Sequence, residues 1–202
     1  GDLAVPRGGF AVFNDNYLVN KAWDDRVGVA ALIQVMHRFQ DRPHPNSILA
    51  VGTVQEEVGC RGAATAVEVV KPDLAIVLEG PPADDLPGLS PDPPQGALGK
   101  GVQIRLFDPT IIVPQKLWRK VVELAQKQGI PHQLAVRRSG ATDARAIHLA
   151  QGGIPTIVLG VPVRYAHSAA GIIHRRDFEA MVELTAAVVE ALDEAWLAGL
   201  MP

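Results

Sequence analysis

The sequence predicts an α/β fold: a three-layer sandwich with helices on both faces of a mostly parallel sheet. Three observations point to it. Apolar, β-branched segments recur at 46–55 (NSILAVGTVQ), 73–80 (DLAIVLEG) and 155–162 (PTIVLGVP). They are apolar throughout rather than alternating, which marks strands buried on both sheet faces. Segments with helix starts and stops separate them, and that alternation builds parallel sheets. The composition, 48% hydrophobic and 20% charged over 202 residues, supplies one full core.

Taken in order, residues 1–20 combine short alternating stretches with turn residues and read as the end of a β structure. Residues 25–40 (DRVGVAALIQVMHRFQ) form a strongly apolar helix, broken by DRPHPN. After the strand at 46–55, GCRGAATAVEVV (59–70) reads as a helix that Pro72 ends, and the strand at 73–80 follows. The Pro-rich stretch 81–96 is a loop, and loops of that length carry function more often than not. GVQIRLF and HQLAVR are strands, flanking a helix at 114–129 that has Pro at its start and Gly at its stop. Thr142 and Asp143 form the N-cap region of a short helix through Ala150. The last strand, 155–162, is followed by a closing helix over 175–196.

Several function classes are excluded. A net charge of −3 provides no basic field for a phosphate backbone, so no nucleic-acid partner is expected. No apolar run reaches the ~18 residues of a membrane span. A single cysteine, Cys60, cannot form an internal disulfide, which fits a reducing, cytoplasmic setting. The start of the chain has neither the charged nor the apolar region of a signal peptide, and reads as a chain entered partway. GALGKG lacks the spacing of a phosphate-binding loop and leads into a strand. Without a G-x-S-x-G turn, Ser168 is a poor hydrolase nucleophile. Cys60 has no evident base and is expected to be buried and inert.

What remains is a set of acids at strand ends and helix starts: Asp24-Asp25 before the first helix, Glu56-Glu57 after a strand, and Glu79 at the end of the next. His167 follows the last strand. In α/β folds, ligands gather at the carboxyl ends of strands. Carboxylates crowded there are costly without a cation, and carboxylates with one imidazole suit zinc, cobalt or manganese. Each residue also has a plainer reading. Asp24 or Asp25 can cap the helix, Glu57 can pair with Arg61, and His167 can be a hydrogen-bonded histidine. The Glu56-Glu57 pair invites a glycosidase reading, but strand neighbours point to opposite faces. At a strand end both can turn to one cleft, one to hold metal and the other to take a proton. The turn Ser139–Asp143 supplies either backbone N–H groups, a supporting carboxylate, or simply a helix start.

KAWDDRVG, TVQEEVGCRGA, LEGPPADDLPG, GKG, SGATDARAIH and GGIPTIVLGVPVRYAHS, with the closing helix, follow one another as in the tetrahedral-type dinuclear metalloaminopeptidases. The chain resembles that family, which includes glutamyl and deblocking aminopeptidases and relatives named endoglucanases, over essentially its whole length. The resemblance implies a zinc-peptidase-like catalytic domain at 21–202, with 1–20 the remnant of a junction to a β-rich domain. It implies two divalent metal ions per subunit, zinc or cobalt, with manganese as a further option. Asp24 then bridges the metals, Glu57 and His167 complete one site, Glu79 belongs to the other, and Glu56 is the general base. Asp25 follows Asp24 through a cis peptide. Peptide substrates lose N-terminal residues, in a homo-oligomer that is a dodecamer in the full-length family. Asp84 and Asp85, in the Pro-rich loop, are expected to help hold the substrate amine, with Thr142 and Asp143 near the cleft. Two departures stand out. No His-Thr-Asp-like motif precedes Asp24, so the N-terminal part of the domain is expected to be absent and one metal site short of a ligand. Ala141 replaces a glycine, where a positive φ would be strained. Two rival readings are a catalytically incomplete binding or assembly module and a polysaccharide hydrolase. An aromatic content of 5%, without a clustered platform for sugars, argues against the latter.

Overall fold

The computed structural model describes residues 1–88 and 94–200. The elements in chain order are β1 (Ala11–Phe13), β2 (Tyr17–Asn20), α1 (Trp23–Phe39), α2 (Arg61–Val70), β3 (Ala75–Glu79), β4 (Val102–Asp108) and β5 (Ile111–Ile112). There follow α3 (Gln115–Gln128), β6 (His132–Val136), α4 (Ala144–Ile147), a 3-10 turn, β7 (Thr156–Gly160), β8 (Gly171–His174), α5 (Arg175–Ala191) and α6 (Glu194–Ala198). The predicted loop is irregular at 81–88 and 94–96, and its centre at 89–93 lies outside the described residues.

The central sheet runs β3-β7-β4-β5, with β6 also on β4. Parallel pairing dominates: five register pairs join β3 to β7 and five join β4 to β6, against three between β4 and β7 and two between β4 and β5. Helices α1, α5 and α3 pack side by side over β3, β4 and β7, while α2 and α4 form a second layer with α4 on β3 and β7. The core lies between: Ile104, Ile157 and Leu159 of the sheet meet Leu117, Met181 and Leu184 of the helices, all buried to 0% exposure. Burying each such side chain contributes about 1.5–3 kcal/mol. A second, antiparallel sheet β1-β2-β8 joins the N-terminal hairpin to the segment before α5.

Three expectations are corrected. The buried strand predicted at 46–55 does not form: residues 47–53 belong to no ladder, and Leu49 and Val51 are 63% and 40% exposed. A strand exists only beside a partner about 4.7–4.9 Å away. Here a cavity of about 880 Å³ opens between this segment, α1, α2 and β3, the end strand of the sheet. The closing helix is two helices, because Asp193 leaves helical geometry and its Oδ1 accepts the Trp196 amide at 2.7 Å, capping α6. Ala141 is unstrained: Gly140 carries the positive φ, 88°, and Ala141 does not. The strand β8 was not anticipated.

Candidate metal centre

Asp24 and Asp25 occupy the first turn of α1, where torsions are not yet helical, and the peptide between them is cis. Their side chains diverge. Asp25 Oδ1 accepts the Gly28 amide at 2.9 Å, a helix-capping contact. Asp24 Oδ2 lies instead 2.8 Å from His167 Nε2. The capping reading therefore applies to Asp25 and not to Asp24.

Glu57 Oε1 approaches the same His167 nitrogen at 3.1 Å. Glu57 sits in the turn leading to α2, whose first bonds run from Gly59 and Cys60 amides to the Glu56 carbonyl. His167 lies on the loop after β7, at a positive φ of 60°. Its loop is anchored by reciprocal backbone bonds between Arg164 and Ile172 of β8. Three side chains from three parts of the chain thus converge, with the imidazole 60% exposed. No Glu57–Arg61 ion pair is present among the described residues.

Glu79 ends β3 and is 8% exposed. It forms a second group with Asp24 and Asp25, whose ligand atoms all lie within 4.8 Å of one another. Asp24 belongs to both groups. Burial, reinforced by Asp24 and Glu56, pushes Asp25 up to about 8 despite the Gly28 amide. Burial, then Asp25 and Asp24, pushes Glu79 well above the carboxylate range. Glu56 is raised by burial and then by Asp143 and Glu57. Carboxylates in this state repel until a cation neutralises them. Oxygen donors with one imidazole and no thiolate fit a pair of borderline divalent ions.

Glu56, Glu79 and Asp143 line the cleft with Asp24 and Asp25, over apolar walls that include Val67 and Leu78. Asp143 is buried and its Oδ2 accepts the Thr53 hydroxyl at 2.5 Å. Thr142 is buried and its hydroxyl accepts the Ala144 amide at 3.3 Å, a local turn contact. Asp84 and Asp85 are not brought to the cluster. Asp84 pairs with Arg137 at 2.9 Å and accepts the Gly96 amide at 2.7 Å. Asp85 takes a two-pronged bond from Arg164, Nε and Nη2 each at 2.7 Å, and accepts the Leu98 amide. Sequence reasoning missed both ion pairs. Arg164 was visible only as the first residue of R-Y-x-H, and nothing in its neighbours names a partner 79 positions away.

The chain matches the family model of the M42 glutamyl aminopeptidases over residues 1–184. It is 32% identical to the glutamyl aminopeptidase of Lactococcus lactis, covering 96% of this chain and 53% of that protein. A TET aminopeptidase from the archaeon Thaumarchaeota archaeon SCGC AB-539-E09 superposes with a TM-score of 0.94 at 36% identity, over 98% of this chain and 56% of that one. The TET1 peptidase of Pyrococcus horikoshii, which can assemble into a tetrahedron or a large octahedral shell, superposes at 0.80 with 34% identity, over 92% and 54%. The chain spans about half the length of the curated relatives it matches. With the shared carboxylate of Asp24, the His167–Glu57 convergence and these likenesses together, the chain belongs to the M42 family of glutamyl aminopeptidases.

Proposed function

We propose that this chain is the metal-bearing part of an aminopeptidase that removes N-terminal residues from peptides, with Glu56 as general base. One observation carries the reading: Asp24 is common to the Asp24–Glu57–His167 and Asp24–Asp25–Glu79 groups, which is the arrangement a carboxylate bridging two ions requires. Glu57 and His167 complete one site and Glu79 the other, in keeping with the resemblance. When bound, the two divalent ions, zinc or cobalt, supply Lewis acidity for the scissile carbonyl and for a water. Glu56 faces the same cleft without belonging to either group, so its carboxylate is free to accept a proton from water and return it to the leaving amine.

The relatives' shells support a homo-oligomeric whole protein. A cytoplasmic setting is the one we infer for it, in keeping with the single cysteine of this chain, which can form no internal disulfide. No helix among the described residues is long and apolar enough to cross a membrane.

The test pairs two variants of the intact enzyme. Glu56→Gln keeps shape and metals and loses about 10²–10⁴-fold in turnover of an aminoacyl anilide. Glu57→Gln loses metal first, and excess metal partly restores its activity. Metal loss in Glu56→Gln but not in Glu57→Gln reverses the two roles. Unchanged hydrolysis in both ends the reading.

A further inference from the structure

Cys60 is the single cysteine of the chain and is 2% exposed. Its Sγ lies 3.6 Å from Glu56 Oε1 and 3.3 Å from the Thr142 carbonyl oxygen. Asp143 completes a group in which the sulfur and one oxygen from each carboxylate lie within 4.8 Å of one another. Asp143 is 7% exposed, and its two oxygens differ. Oδ2 accepts the Thr53 hydroxyl, whereas Oδ1 is buried without any hydrogen-bond partner. An ionised oxygen buried unpaired costs more than any lost neutral hydrogen bond. The single S–H hydrogen cannot satisfy Glu56 and the Thr142 carbonyl at once, let alone Asp143. Glu56 and Asp143 both line the cleft, so an ion has a path to them.

We propose that Glu56, Cys60 and Asp143 form a third cation site, separate from the two groups that share Asp24, and that it takes a thiophilic divalent ion of the zinc or cadmium type. One sulfur with two carboxylate oxygens selects against magnesium and calcium, which are bound through oxygen alone. On binding, the S–H bond breaks, a sulfur–metal bond forms and the proton leaves to solvent; no electron changes hands. The dication then faces one thiolate and two carboxylates, and the unpaired Asp143 oxygen gains a partner. An ion held here also occupies the Glu56 carboxylate and withdraws it from proton transfer, a consequence that rests on the reading of Glu56 as base.

Cadmium is the probe. Its thiolate complexes absorb in the ultraviolet, and with one cysteine in the chain the band reports on Cys60 alone. Titration in the presence of magnesium is expected to give a band whose final amplitude corresponds to one cadmium–thiolate bond per chain, while magnesium alone gives none. Asp143→Asn shifts the midpoint by at least about tenfold. Cys60→Ala removes the band while calorimetric titration still finds ions at the Asp24 groups. A missing band in the unmodified chain overturns the proposal. So does a band that Asp143→Asn and Glu56→Gln leave unmoved. A missing band alongside impaired Glu56→Gln turnover sinks the third site alone, and a band alongside unimpaired turnover sinks the base assignment alone.

Discussion

Replacing Arg164 by alanine removes the clamp between the Pro-rich loop and the loop that carries His167. Arg164 gives two bonds of 2.7 Å to the two oxygens of Asp85. Its side chain is 29% exposed and that of Asp85 8%. Hydrogen bonds to charged groups contribute about 1.5–3 kcal/mol each, and partial exposure of the guanidinium screens part of that. Truncation leaves a buried carboxylate with only the Leu98 amide, so Arg164→Ala is expected to lose about 2–4 kcal/mol. Arg164→Lys keeps a point charge without the fork and recovers about half. Asp85→Asn costs less, about 1–2 kcal/mol, because the more exposed Arg164 can turn to water. The reciprocal backbone bonds between Arg164 and Ile172 stay in place, so the fold persists. The pH dependence has a sign. Burial alone would raise Asp85, but the Arg164 and Leu98 hydrogen bonds outweigh it and hold the carboxyl below its usual range. A lowered carboxylate contributes stability above its unfolded pKa and loses it as pH falls through the folded one. Without Arg164, burial dominates, the folded state takes up a proton more readily, and the gap between wild type and Arg164→Ala narrows as pH falls toward about 4. Urea denaturation at several pH values measures all of this, and metal titration reads the accompanying loosening of His167. A loss below about 1 kcal/mol in Arg164→Ala, or a larger loss in Asp85→Asn, refutes the reasoning.

Gly28 lies where α1 meets β3: an added Cβ would meet both Asp25 carboxylate oxygens and come within 2.7 Å of the Leu78 carbonyl. Gly28→Ala should therefore lose about 1–3 kcal/mol in urea and disturb the Asp25 cap, despite the gain in helix propensity. Asp177 is fully buried and accepts the Gly99 and Gly101 amides, both at 2.7 Å, yet burial pushes it up to about 6. The folded state then binds the extra proton between the usual carboxylate range and about pH 6, so stability falls as pH rises through that window and levels off above it; in Asp177→Asn this slope should disappear. Burial first, and Glu56 next, push the Cys60 thiol up to about 12. Iodoacetamide should leave the native chain unmodified by mass spectrometry and alkylate it fully in denaturant.

Much of the fold was legible because its signals are local. The apolar segments around Ala75–Glu79 and Thr156–Gly160 are strands, Pro114 and Gly129 bound α3, and Arg175 begins α5. The acids at 24, 56, 57 and 79 were visible as charges at the ends of these elements. The errors have a common form. The segment at 47–53 has the composition of a strand but no partner, while β8 has a partner, β2, and only a four-residue signal.

By itself the sequence determined the α/β class, the limits of α2 and α3 to within two residues and the residue types available for metal chemistry, because periodicity, caps and turn residues act over a few positions. Only the tertiary structure decided which acids meet. It sent Asp24 to His167 across 143 positions, turned the adjacent Asp25 back to cap α1, and spent Asp84 and Asp85 on arginines outside the cleft. It also set Cys60 against Glu56 and Asp143. These outcomes depend on strand order, loop direction and competition for buried partners, which no short stretch of chain encodes, because a buried charge takes whichever counterpart the whole fold brings within reach.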